Sequence, residues 1–193
     1  MLLPRQIYKS VGDIARHCNL DKLAIAENEA LTFDLPEIFC ENWFSISEIL
    51  NRYLDVEGTT TPEEEKLLLG SAYIGCSGRN FQQAGILAAI AYYSYARYIT
   101  INGYNDTAVG LKQKNDNFTF PVSLPELQNY SDKYRNMGKV TANRIKSFLC
   151  RSKVEFPFYI GSCICECGSE KCGSGIATKG FGFSSKNISK YDL

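Results

Sequence analysis

The chain has 193 residues, 45% of them hydrophobic and 22% charged, which suffices for one domain with its own core, or a domain plus an appendage. Lysine plus arginine and aspartate plus glutamate balance at 21 each, so the basic surplus on which phosphate-driven duplex binding rests is missing. The opening "MLLPRQIYKS" has no apolar run of signal-peptide length, so the eight cysteines are expected as reduced thiols rather than a disulfide framework.

In chain order, "RQIYK" can be extended, and "SVGD" then opens a short helix with Ser10 as its cap and Asp13 three residues on. A second helix is predicted from about Asp21, with Leu23, Ala26, Ala30 and Phe33 at helical spacing. "DLPE" repeats the start signal, Asp34 as cap and Glu37 at the third position, and leads into a helix through "IFCENWFSISEILNRYL". "TPEEEKLLLGSAY" starts another, with Thr61 as cap, Pro62 at the first helical position and Glu63, Glu64 and Glu65 facing the positive end of the dipole. Those three carboxylates read as a dipole-matched helix start rather than an acid–base or metal site.

From about Asn80 to Asn102 runs a helix that is apolar on nearly every side, closed by Gly103 as a left-handed terminator. It contains "ILAAIAYYSYARYI", bounded by "RNFQQ" and "NGYND" and interrupted by Arg97, which is too short an apolar run to span a bilayer. The helix is therefore expected to be buried in protein, with Tyr95 and Tyr98 filling the bundle or a subunit interface. A buried guanidinium needs a fixed acceptor, and Asp106 and Glu126 are the nearest carboxylates in sequence considered for Arg97.

"VGLKQKNDNFTFPV" reads as a β-hairpin over about 109–121, turning at "KNDN". A long helix follows, opened by Ser123 and Glu126 as a capping box and stopped before Pro157. The predicted fold class is mainly α: a helical bundle (1–156) with one inserted hairpin, then an extended, cysteine-rich C-terminal arm (157–193).

Chemical motifs are few. Cys18, Cys40, Cys76 and Cys150 fall in or beside apolar helical patterns, where a thiol behaves as a small hydrophobe. "CICECGSEKC" holds Cys163, Cys165, Cys167 and Cys172, but alternate cysteines on a strand lie about 7 Å apart, and only Cys167 and Cys172 have ligand-like spacing. These four are weak zinc candidates, and no cofactor is expected. His17, the single histidine, cannot build a triad or an H-E-x-x-H site. "GSGIATKGFGF" lacks the flanking strand and helix of a phosphate loop.

The order "LLLGSAYIGCSGRNFQQAGILAAIAYYSYARYI", "AVGLKQKNDNFTFPV", "YSDKYRNMGKVTANRIKSFL" and "FPFY" resembles the head–tail connector (neck or ring) proteins of tailed bacteriophages, of the crAss-like and Bacteroidetes-phage type, over roughly residues 10–160. The resemblance implies a virion structural protein, not an enzyme, assembled in the host cytoplasm. Its partners would be further copies of itself in a ring, commonly dodecameric, the portal protein and other neck or tail proteins. Genomic DNA would pass through the channel without sequence-specific binding, and no membrane is involved.

Rings are head-to-tail assemblies and need two different complementary faces on each subunit. The hairpin and arm are expected to supply much of that contact. Lys112, Lys114, Phe118 and Phe120 are the candidates in the first, and Phe158, Tyr159, Phe181 and Phe183 in the second. The alternatives are a small cytosolic zinc- or thiol-dependent binding protein using the 163–172 cysteines, and a tail-associated wall hydrolase, for which no paired-carboxylate cleft can be assembled.

Overall fold

The computed structural model describes residues 3–9, 11, 18–55, 57–75, 78–107, 110–113 and 123–161, with the backbone alone described at Arg5 and within 104–113. The expected helix after Ser10 and its His17 lie outside the described residues, as do Cys76, Lys114, Phe118, Phe120, Phe181, Phe183 and the cysteines of 163–172. "RQIYK" is helical rather than extended, forming α1 (Arg5–Lys9). α2 (Leu20–Glu29) begins where Asn19 accepts the Lys22 N–H, one residue before the expected start.

The restart expected at "DLPE" does not occur. α2 runs on through a π-helical turn, Ala30–Asp34, into α3 (Leu35–Phe39), and Asp34 is itself helical rather than a cap. Pro36 explains the wide turn. Its nitrogen cannot donate and its ring would crowd the carbonyl four residues back, so a longer-range bond from the Leu35 N–H to the Ala30 carbonyl replaces the usual ladder. The rod then breaks at Cys40, whose φ is 50°, and α4 (Asn42–Leu54) follows on a new axis instead of one continuous helix.

α5 (Pro62–Leu69) has the expected start, with Thr61 and Glu64 forming a reciprocal capping box. It stops at Gly70, and "SAY" leaves the helix that the sequence suggested for it. Two short antiparallel strands form instead, β1 (Ser71–Ile74) and β2 (Asn80–Gln83), pairing Tyr73 with Phe81, whose rings stack at 5.9 Å. A cross-strand aromatic pair of this kind contributes about 0.5–1 kcal/mol and wins over helix propensity once Gly70 has ended α5.

α6 (Ile86–Asn102) starts six residues later than expected, because 80–83 is strand. Gly85, at φ 87°, admits the chain between β2 and α6 where a Cβ would meet the Leu69 backbone at 2.6 Å. Gly103 ends α6 in a right-handed conformation, not the left-handed one predicted. A second hairpin joins β3 (Tyr104–Thr107) to β4 (Gly110–Gln113), several residues earlier than the hairpin expected over 109–121. α7 (Leu124–Arg151) carries the predicted Ser123–Glu126 capping box.

The body is mainly helical, with α6 as its central rod. α6 packs chiefly against α7 and α2, and also against α1, α5 and the π-helical turn. Ile86, Ala89, Ile90, Ala91 and Ala96 are fully or almost fully buried, so the helix is covered on nearly every side as its sequence requires. Among the described residues no helix is long and apolar enough to cross a membrane. Beyond α7, Phe156 and Tyr159 are buried, and Phe158 lies against Phe156 at 5.9 Å, so these residues belong to the bundle's own aromatic cluster.

Candidate functional site

The densest polar arrangement in the described body is built around Arg97, on the last turns of α6. Its Nε donates to Asp34 Oδ2 at 2.6 Å and its Nη2 to Asp34 Oδ1 at 3.1 Å, a two-pronged grip on one carboxylate. Nη1 donates to Glu29 Oε2 at 2.7 Å. Arg135 of α7 approaches Asp34 Oδ1 at 3.7 Å, and the Phe33 ring lies 5.8 Å from the guanidinium carbon. Three elements thus meet at Asp34: the π-helical turn, α6 and α7. Glu29 and Asp34 are five residues apart, and it is across the widened turn that both reach the same guanidinium.

The Arg97 side chain is 20% exposed and that of Asp34 7%. The bond to Asp34 raises the Arg97 pKa above its ordinary value, against burial acting the other way. Beside this hub Tyr93 is almost fully buried, and its hydroxyl has no hydrogen-bond partner among the described residues. Burial, and secondarily the Asp34 charge, raise its pKa. The sequence asked correctly for a carboxylate opposite Arg97, and among the described residues Asp34 and Glu29 supply it rather than Glu126. Glu126 is exposed and bound to Ser123, whose hydroxyl and backbone N–H hold its pKa below the ordinary value. The Asp106 side chain lies outside the described residues.

Tyr95 and Tyr98 stack at 6.2 Å, and Tyr95 meets Tyr134 edge-on at 4.6 Å. Both tyrosines therefore sit in the chain's own packing, and the Tyr98 hydroxyl accepts the Asn19 N–H at 3.2 Å. Burial raises the Tyr98 pKa. On the opposite side of α2, Glu27 is 2% exposed and its Oε2 accepts from the Leu3 N–H at 2.9 Å and from the Tyr8 hydroxyl. Burial raises the pKa of both Glu27 and Tyr8. These groups were not picked out from sequence. Tyr8 falls in a segment expected to be extended and Glu27 at an ordinary helical position, and only the packing of α1 against the bundle shows that they meet.

Among the described residues no group of three or more His, Cys, Asp and Glu side chains could hold a metal ion. Neither Cys18 nor Cys40 is in a disulfide, but Cys40 is exposed at the α3–α4 break rather than packed inward. Cys150, near the end of α7, is buried. Lys112 lies in β4 opposite Asn105. The geometry of the hub is that of a positioning device: a charge cluster that ties the π-helical turn to α6 and α7.

Residues 47–169 match the DUF6712 family, a family of unknown function. That span is well over half of the chain. The chain belongs to this family. No curated protein and no solved structure matches it. The DUF6712 segment opens inside α4 and includes α5, both hairpins, α6 and α7. Arg97 and Arg135 therefore fall within it, whereas Glu29 and Asp34 are supplied from upstream.

Proposed function

We propose that this DUF6712 protein is a virion structural subunit. It forms an oligomeric ring in the portal–tail neck and joins the capsid vertex to the tail around the DNA channel. The observation that carries the reading is where its large apolar side chains are left in water. Phe44 on α4 is 69% exposed, and Tyr130, Met137 and Val140 on α7 are 57%, 39% and 53% exposed. Single exposed apolar residues are ordinary, but these three on α7 recur at helical spacing along one side. A rigid body locked internally by Arg97 and apolar on its outside suits assembly. The order of helix, hairpin and capped helix that resembles the phage connectors supports the same role.

The competing zinc- or thiol-dependent reading rests on Cys163, Cys165, Cys167 and Cys172, outside the described residues. Mass measurement by light scattering of the purified chain, alone and with a candidate portal protein, tests the proposal. A closed oligomer, commonly of about twelve subunits in such rings, or a complex with the portal, is expected. A strict monomer that ignores the portal overturns it.

A further inference from the structure

The outer faces of α4 and α7 carry opposite charge at the same spacing. On α7, Tyr130, Lys133, Met137, Val140 and Arg144 are all exposed and follow one another at steps of three and four. On α4 and its two flanking residues, Glu41, Phe44, Glu48, Asn51 and Asp55 are all exposed and repeat the same steps. Each stripe covers 14 helical rises, about 21 Å. Steps of three and four place side chains in a single seam, as in paired helices. Among the described residues no ion pair engages Lys133, Arg144, Glu41 or Glu48.

We propose that the α7 stripe of one subunit docks antiparallel on the α4 stripe of a second copy of this chain. In that register Arg144 lies opposite Glu41 and Val140 opposite Phe44. Met137 covers the stem of Glu48, and Lys133 falls between Glu48 and Asp55. The antiparallel sense joins the apolar residues of the two seams, whereas the parallel sense sets Phe44 against Lys133. A face serves itself poorly: antiparallel α4 on α4 sets Glu48 against Glu48 and Glu41 against Asp55, and α7 on α7 gathers two copies of Lys133 and of Arg144 in one seam with no carboxylate to meet them. The contact joins two different faces, so repeating it head to tail yields a ring or a filament. The inference deepens the ring reading and rests on it, since it names the two faces that such a ring needs.

The test is sedimentation of the full-length chain across concentration and salt, with charge reversals on each face. Lys133→Glu with Arg144→Glu, and separately Glu41→Lys with Glu48→Lys, are each expected to weaken self-association by about tenfold or more at low salt. The chain carrying all four reversals restores opposite charges across the contact and recovers association. All four positions are exposed, and circular dichroism melts confirm that each variant folds. Phe44→Ser gives a charge-neutral check and is also expected to weaken association. Self-association that ignores both pairs of reversals overturns this interface but leaves the ring reading standing. A wild-type chain that stays monomeric at every concentration overturns both. Duplex DNA binding through Lys133 and Arg144, in a chain that does not self-associate, overturns the interface as well.

Discussion

Arg97 sits on a helix covered by protein on nearly every side, and two acidic side chains from another element hold its guanidinium. Replacing it with methionine keeps the packing volume but leaves Asp34 buried with only the more distant Arg135 nearby. An abandoned buried charge costs about 3–5 kcal/mol, and partial exposure of the site brings Arg97→Met to about 3 kcal/mol, read as a lowered urea midpoint. Arg97→Lys keeps the charge but loses the two-pronged grip, so an intermediate loss is expected. An unchanged midpoint in Arg97→Met means the hub does not hold the helices together. Glu27 acts through pH instead. Burial raises its folded pKa above the ordinary value near 4.5, despite bonds from Tyr8 and Leu3 that favour the charged form. Between the unfolded and folded values the native state binds more protons than the unfolded chain. Stability therefore falls as pH rises through that window and stays lower above it. Glu27→Gln is expected to flatten that slope in melting temperature against pH, and an undiminished slope assigns it to another group.

Helices α6 and α7 approach closely because α7 has a glycine at the crossing. A Cβ on Gly138 would stand 2.7 Å from the Tyr93 ring, inside the packed core. Alanine would add about 1 kcal/mol of helix propensity, but overpacking costs about 1–3 kcal/mol, so Gly138→Ala is expected to lower the melting temperature. A raised melting temperature means the Tyr93 ring yields freely. At this scale the sequence was read well where structure is local. Both capping boxes, Thr61 with Glu64 and Ser123 with Glu126, are four-residue devices whose partners lie within one turn. It was read poorly where a distant partner decides. Tyr73 leaves a helical pattern to pair with Phe81, and Asp34 abandons a cap signal because Pro36 widens the helix. The need of Arg97 for a carboxylate was legible, but its partners are 63 and 68 residues upstream, and proximity in sequence pointed the other way.

Over the whole molecule, equal numbers of acidic and basic residues conceal an uneven arrangement. The exposed seam of α7 has Lys133 and Arg144, and that of α4 has Glu41, Glu48 and Asp55, so a formal charge of zero coexists with two attractive faces. The overall balance was legible in composition, but the segregation was not, because it depends on which side of each helix the core claims. Asn42 adds a further constraint. Its side-chain oxygen accepts the Ile160 N–H at 2.7 Å, and its side-chain nitrogen donates to the Ile160 carbonyl at 3.1 Å. One asparagine at the head of α4 thus grips both polar groups of a single residue far along the chain, in the manner of a paired strand. Ile160, the last residue but one that is described, is thus fastened one residue from Glu41 and two from Phe44, at the head of the acidic seam.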